Sequence, residues 1–421
     1  MQEIDIDDLV APRLTEPQRQ ALAYGDATPV ALTEGAVLGA AQQRTGLTDF
    51  GPDDFRARLN LLLDEWNADP DLTGLQRLTL FGYVSRYAAN RLLIQDLLQR
   101  HPEIHEQKID RPIIVAGLPR SGTTHLVNIL ASDRRMHSLP LWESYEPIPL
   151  PGEPNRPDGT DPRYGRCADA WAGMQATVPL IAAMHPMNPD HVHEELELMG
   201  PDFASYNFEW ISHVPRWRDH YYATDQTPHY EYAKTVLKIL QWQRRHEGPK
   251  RWVLKCPQHL EQLPVLRRTF PDATLAITHR DPVAVIQSAV TIIAYGRRTS
   301  RRQVDPEGLI AYWVDRIEHL LRACVRDRAV WPEAQSIDVP FSEFMADDAA
   351  MVRRIHEKAK LAETPQSKAE IERYIAEHPR GKEGRVIYHL KRDFGVDPAE
   401  LRQRFRFYRD AFPFGPQEMP A

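Results

Sequence analysis

Several stretches of this sequence hold residues whose types and spacing could act on an anionic substrate. The first is Gly117-Leu118-Pro119-Arg120-Ser121-Gly122-Thr123-Thr124, which follows the wholly apolar run 113–116 and opens into a helical pattern at Leu126, Val127 and Leu130. Strand, glycine loop and helix N-terminus together make an anion cradle. Backbone N–H groups converge there, the helix dipole favours negative charge, and glycine lets the backbone come close. The spacing of Gly117 and Gly122 matches the phosphate loop of NTPases, but those loops carry Lys-Ser/Thr after the second glycine. Thr123 stands there instead, and the cation is Arg120, inside the loop. A magnesium-nucleotide hydrolase built this way lacks its main γ-phosphate contact, so the loop suits a phosphate ester better.

Two further stretches sit at predicted strand ends. Thr278-His279-Arg280-Asp281-Pro282 closes one strand and starts a helix, with Asp281 as N-cap, Pro282 at the first helical position and Ser288 further along. A guanidinium there offers a bidentate, charge-assisted contact to an anion, and the Ser288 hydroxyl adds a directed donor. In Trp252-Val253-Leu254-Lys255-Cys256-Pro257-Gln258-His259-Leu260, Pro257 breaks the strand after Lys255. Lys255 and His259 thus stand at the carboxyl edge, where open α/β sheets hold their sites. Histidine suits a general base, and Lys255 with Arg120 could stabilise developing negative charge. His191-Val192-His193-Glu194-Glu195 supplies a rival base, Glu194 or Glu195. Its two histidines lack a third spaced ligand, so a metal is not expected. Cys256 reads as a small buried side chain rather than a nucleophile.

These stretches resemble the PAPS-dependent sulfotransferase family in its bacterial form, where PAPS is 3′-phosphoadenosine-5′-phosphosulfate. The resemblance rests on PRSGTT after a buried strand, on the Arg280/Ser288 pair and, more loosely, on the LKxPxHL-like segment from Leu254. It implies that Arg120 replaces the loop's usual lysine while Ser121, Gly122, Thr123 and Thr124 wrap the 5′-phosphosulfate. Arg280 and Ser288 would bind the 3′-phosphate. The basic turn His378-Pro379-Arg380-Gly381-Lys382-Glu383-Gly384 would close over that phosphate through Arg380, Gly381 and Lys382. Lys255 and His259 would act on the transferring sulfuryl group. His125 stands where many members carry a tryptophan near the adenine. The implied reaction moves a sulfuryl group from PAPS to a hydroxyl or amine of a small acceptor, without a metal.

The elements that must position these residues can be read along the chain. Residues 1 to 108 show three- and four-residue apolar spacing and no strand signal, so a helical N-terminal segment is expected. Residues 109–421 would form one α/β domain, with strands at 113–116, 252–254, 273–278 and 336–339 each followed by helical pattern. That order gives a P-loop-type parallel sheet flanked by helices. A helical insertion over about 140–245 is rich in aromatic and methionine side chains. Trp142, Tyr145, Trp171, Met174, Met184, Phe203, Tyr206 and Trp210 could line an apolar or aromatic acceptor pocket or form plain core.

Composition sets the remaining bounds. The 421 residues carry a net charge of −7, which offers no field for nucleic acid. Three scattered cysteines suggest a reducing compartment. No apolar run is long enough to span a membrane, and a cytoplasmic protein is expected. A homodimer is left open. Two rival readings are a P-loop small-molecule kinase and a non-catalytic nucleotide-binding protein.

Overall fold

In the computed structural model, which describes residues 2–379 and 384–412, a parallel sheet lies between two helical layers. Its five strands run in the order β3-β4-β2-β5-β6: β2 (Ile113–Gly117), β3 (Met136–His137), β4 (Arg251–Lys255), β5 (Thr274–His279) and β6 (Ser336–Pro340). Four of them fall where apolar runs predicted strands. β3 was not predicted, because two residues at a sheet edge carry no pattern. β2 is buried along its whole length because both faces are covered. Ile114 and Ala116 meet one core with Leu254, Leu275 and Ile277, while Ile113 and Val115 meet the other with Val253, Ala276 and Val339.

Ahead of the sheet lie β1 (Glu3–Asp5) and helices α1 (Glu16–Ala27), α2 (Glu34–Thr45), α3 (Phe55–Ala68) and α4 (Gly74–Arg100). Thr33 caps α2, and Gly46 ends it at φ 72°, the left-handed turn that favours glycine. β1 corrects the expectation of no strand in this region. It pairs in parallel with β7 (Arg385–Ile387), so its conformation comes from a partner nearly the whole chain away.

The N-terminal helices share a third core with the insertion. Leu59, Leu62 and Trp66 of α3 and Leu80, Val84 and Tyr87 of α4 pack with Phe203, Phe208 and Trp217. Of the candidate acceptor-pocket residues, Met184, Phe203 and Tyr206 are core, at 2% exposed or less. Trp142, Tyr145, Trp171, Met174 and Trp210 are half-buried. Among the described residues no helix is long and apolar enough to cross a membrane.

Candidate active site

The site sits at the carboxyl ends of β2, β4 and β5. β2 runs straight into the glycine loop, and helix α5 (Thr123–Ala131) starts immediately after it. A Cβ on Gly117 would stand 1.9 Å from Thr278 Oγ1, so only glycine lets β2 pass β5 at that point. Ser121 Oγ donates to the Leu118 carbonyl at 2.5 Å and meets Thr278 Oγ1 at 2.7 Å, which ties the loop to β5. Gly122 has φ 86° and Arg120 φ 66°. A non-glycine residue pays about 1 kcal/mol for that conformation. At Arg120 it accompanies a carbonyl that accepts from Arg280 Nη1.

On the β5 side, the two predicted phosphate-binding stretches meet. Arg120 Nε donates to Ser288 Oγ at 3.1 Å, and Ser288 Oγ bonds Tyr388 Oη at 2.9 Å. Arg280 lies over the Phe341 ring at 4.3 Å, and its buried Nε has no partner. Burial first, then the Arg120 charge, push the Arg280 guanidinium down to about 10. Two cations held close, with the neighbouring Asp281 only partly offsetting them, make a site that fits an anion. Arg380, Gly381 and Lys382 lie outside the described residues.

On the β4 side the arrangement is different. Lys255 is fully buried at the end of β4, and its Nζ donates to Thr124 Oγ1 at 3.2 Å while pairing with Glu194. Thr123 and Thr124 begin α5, so the helix that opens the phosphate loop also touches Lys255. Glu195 accepts from the Lys255 backbone N–H at 2.7 Å and meets His259 Nε2 at 2.5 Å. The other ring nitrogen of His259 lies 3.0 Å from Tyr230 Oη. Burial raises the Tyr230 phenol well above its ordinary value, so it stays protonated and donates. A proton on Nε2 and a lone pair on Nδ1 would suit both neighbours, and the ring is 1% exposed. Both ring nitrogens are thereby engaged by protein groups.

The strap that carries Glu194 and Glu195 is held by α5 itself. Asn128 donates from Nδ2 to the Val192 carbonyl at 3.2 Å and accepts from the Val192 N–H at 3.1 Å. The sequence carried a signal for this residue, a lone amide inside the apolar run Leu126-Val127-Asn128-Ile129-Leu130. Phe341 had no comparable signal as a site residue, because it comes from a separate element far down the chain. His125 pairs through Nε2 with Asp348 Oδ2 at 2.9 Å and packs beside the Phe344 ring at a centroid distance of 5.5 Å. Cys256 is buried, and burial pushes its thiol well up, which leaves it inert.

A sequence profile described as "Sulfotransferase family" matches residues 112–365, more than half of the chain. The crystal structure of sulfotransferase STF9 from Mycobacterium avium has a TM-score of 0.80 to this chain at 26% identity, covering 91% of this chain and 97% of its own. Sulfotransferase STF1 from Mycobacterium tuberculosis H37Rv has a TM-score of 0.76 at 27% identity, covering 89% and 98%. No curated protein matches the chain. With its phosphate loop, sheet order and profile match in agreement, this chain belongs to the sulfotransferase family in its bacterial form.

Proposed function

We propose that the protein transfers the sulfuryl group of PAPS to a hydroxyl (or amine) of a small apolar or aromatic acceptor and releases adenosine 3′,5′-bisphosphate. One observation carries the reading: the phosphate loop is flanked by two different cation sites. On one side Arg120 reaches Ser288 and Arg280 reaches the Arg120 carbonyl, and on the other Lys255 reaches Thr124. A donor with a phosphate ester at one end and a reactive sulfate at the other needs that pair of stations.

In this scheme Ser121, Gly122, Thr123 and Thr124 hold the 5′-phosphosulfate, and Arg280 and Ser288 take the 3′-phosphate, with Arg380, Gly381 and Lys382 as further partners. The donor supplies a sulfuryl group already activated by its phosphate leaving group. The acceptor oxygen forms the new bond to sulfur as the bond to the phosphate oxygen breaks. Lys255 and Arg120 stabilise the charge that moves onto the leaving phosphate. The acceptor proton goes to Glu194, whose side chain is 13% exposed and stands on Lys255. His259, expected from the sequence to take that proton, instead fixes Glu195 and through it the backbone of Lys255. Its role in the scheme is to position Lys255.

The test is calorimetric titration with adenosine 3′,5′-bisphosphate, with and without EDTA, beside ATP plus Mg²⁺. Micromolar or tighter bisphosphate binding that ignores EDTA is the expected result. Binding of Mg-ATP alone would favour the kinase reading, and bisphosphate binding without turnover of any acceptor would favour a non-catalytic protein.

A further inference from the structure

One group of polar side chains beside Lys255 is used by none of these steps. His193 lies on the same strap as Glu194. Its ring is 8% exposed, and both its nitrogens are buried without a hydrogen-bond partner. It packs against the His185 ring at a centroid distance of 5.9 Å. His185 is half-buried and feels the charges of both Arg120 and Lys255. His193 also feels the charge of Arg86 of α4, which bonds Glu197, four residues after His193 in the chain. The Arg86 guanidinium stacks on Tyr145 at 4.0 Å and is boxed in by Tyr83 and Tyr87. Its Nη2 reaches Glu197 at 3.1 Å, while its buried Nη1 also lacks a partner. Buried polar atoms are almost always paired, and leaving them unpaired destabilises the fold. Three such atoms, two on His193 and one on Arg86, mark a polar wall built for something that binds there.

Resting on the sulfotransferase reading above, we propose that His193 and Arg86 form the polar wall of the acceptor pocket and select an acceptor with a second oxygen function, a hydroxyl or carbonyl, besides the group that is sulfated. The charge balance favours a neutral oxygen over a carboxylate, since Glu197 already offsets Arg86. Burial, with help from Lys255, keeps the His193 imidazole uncharged, so it offers one donor and one acceptor, as a hydroxyl does. The tyrosine faces around Arg86 suit an aromatic or apolar body. The unpaired atoms are sealed from bulk water, so access displaces the half-buried His185 side chain next to them.

A site built to bond a substrate oxygen rejects an analogue that lacks it far more strongly than an apolar wall does. The test uses full-length protein loaded with adenosine 3′,5′-bisphosphate and matched phenols, 3-hydroxyphenol against 3-methylphenol and 4-hydroxyacetophenone against 4-ethylphenol. Binding is followed by thermal shift, and turnover is measured with PAPS. The oxygen-bearing member of each pair is expected to bind about 10-fold or more tightly. His193→Leu should abolish that preference and His193→Gln should retain it. With the unpaired imidazole gone, His193→Leu should melt no lower than the parent and bind the bisphosphate unchanged. No preference in the parent protein, whether both members bind or neither does, overturns the proposal, as does a preference that survives His193→Leu. Loss of bisphosphate binding by the parent would instead sink the sulfotransferase reading itself.

Discussion

The two ends of the phosphate loop handle charge in opposite ways. On the β5 side, Arg120 and Arg280 stand together, and burial and mutual repulsion push the Arg280 guanidinium down to about 10. On the β4 side, Lys255 is buried more deeply than either arginine and is paired with Glu194. The first end is held in tension until an anion arrives, which is how a binding station behaves. The second is already neutral and carries a carboxylate that can take a proton, which is what a transfer step needs. Under the proposed function, holding the donor and moving its sulfuryl group fall mainly to different strands of one sheet.

Changes that separate the two ends test this division, starting with the largest effects. Glu194→Gln should lower kcat by about 10³-fold, the usual range for losing a general base, while bisphosphate affinity stays within a few-fold. Equal loss in both quantities by calorimetry and initial rates would put Glu194 in donor binding instead. Lys255→Met should lower kcat by about 10²-fold or more, as for other lost transition-state donors. Because it also strands Glu194, the double variant with Glu194→Gln should fold better than the single one. Arg280→Ala should weaken bisphosphate binding by about 10²-fold, the value of a charge-assisted contact. With less repulsion left at Arg120, its ligand-free melting temperature should not fall.

Much of this site was legible before any coordinates. The loop 117–124, Arg280 and Ser288 could be read because each pairs a local backbone signal, a glycine or a helix start, with a residue type suited to anions. Lys255 was legible from the strand that ends at it. The Glu194–Lys255 pair and the burial of His259 were not, since both depend on how the strap at 191–195 packs on α5 through Asn128. That contact joins segments with no shared periodicity. β1 illustrates the same limit in the fold, because three residues became a strand only by pairing with β7. The apolar runs of β2, β4 and β5, by contrast, needed no partner to be recognised, as burial on both faces writes itself into the sequence.

Smaller effects sharpen the comparison. His259→Gln keeps a side chain able to meet Glu195 and should cost about 10-fold in kcat, whereas His259→Ala should cost more and also lower the melting temperature. A base at His259 would make both variants equally inactive and leave folding unchanged. Acid stability should follow the histidines that burial pushes down, His191 and His193 on the strap beside Lys255 and two that lie elsewhere. His137 and His356 are buried, and burial holds each at about 4. Their folded values lie below the unfolded value near ~6.5. Stability should therefore be full above about pH 6.5 and decline as the pH falls towards about 4, by about 1–3 kcal/mol per histidine. Urea midpoints at pH 7.5, 5.5 and 4 should fall in parallel for the parent and Glu194→Gln, and His356→Leu should flatten the decline.

The most direct test measures bisphosphate affinity and the single-turnover rate of sulfuryl transfer on the same preparations of the parent, Glu194→Gln and Arg280→Ala. A division of labour predicts near-parental affinity with a rate down about 10³-fold for Glu194→Gln. It predicts affinity down about 10²-fold, with a rate at saturating donor within about 10-fold of the parent, for Arg280→Ala. Both variants losing affinity and rate together would contradict it, and the loop would then have to be treated as a single undivided site.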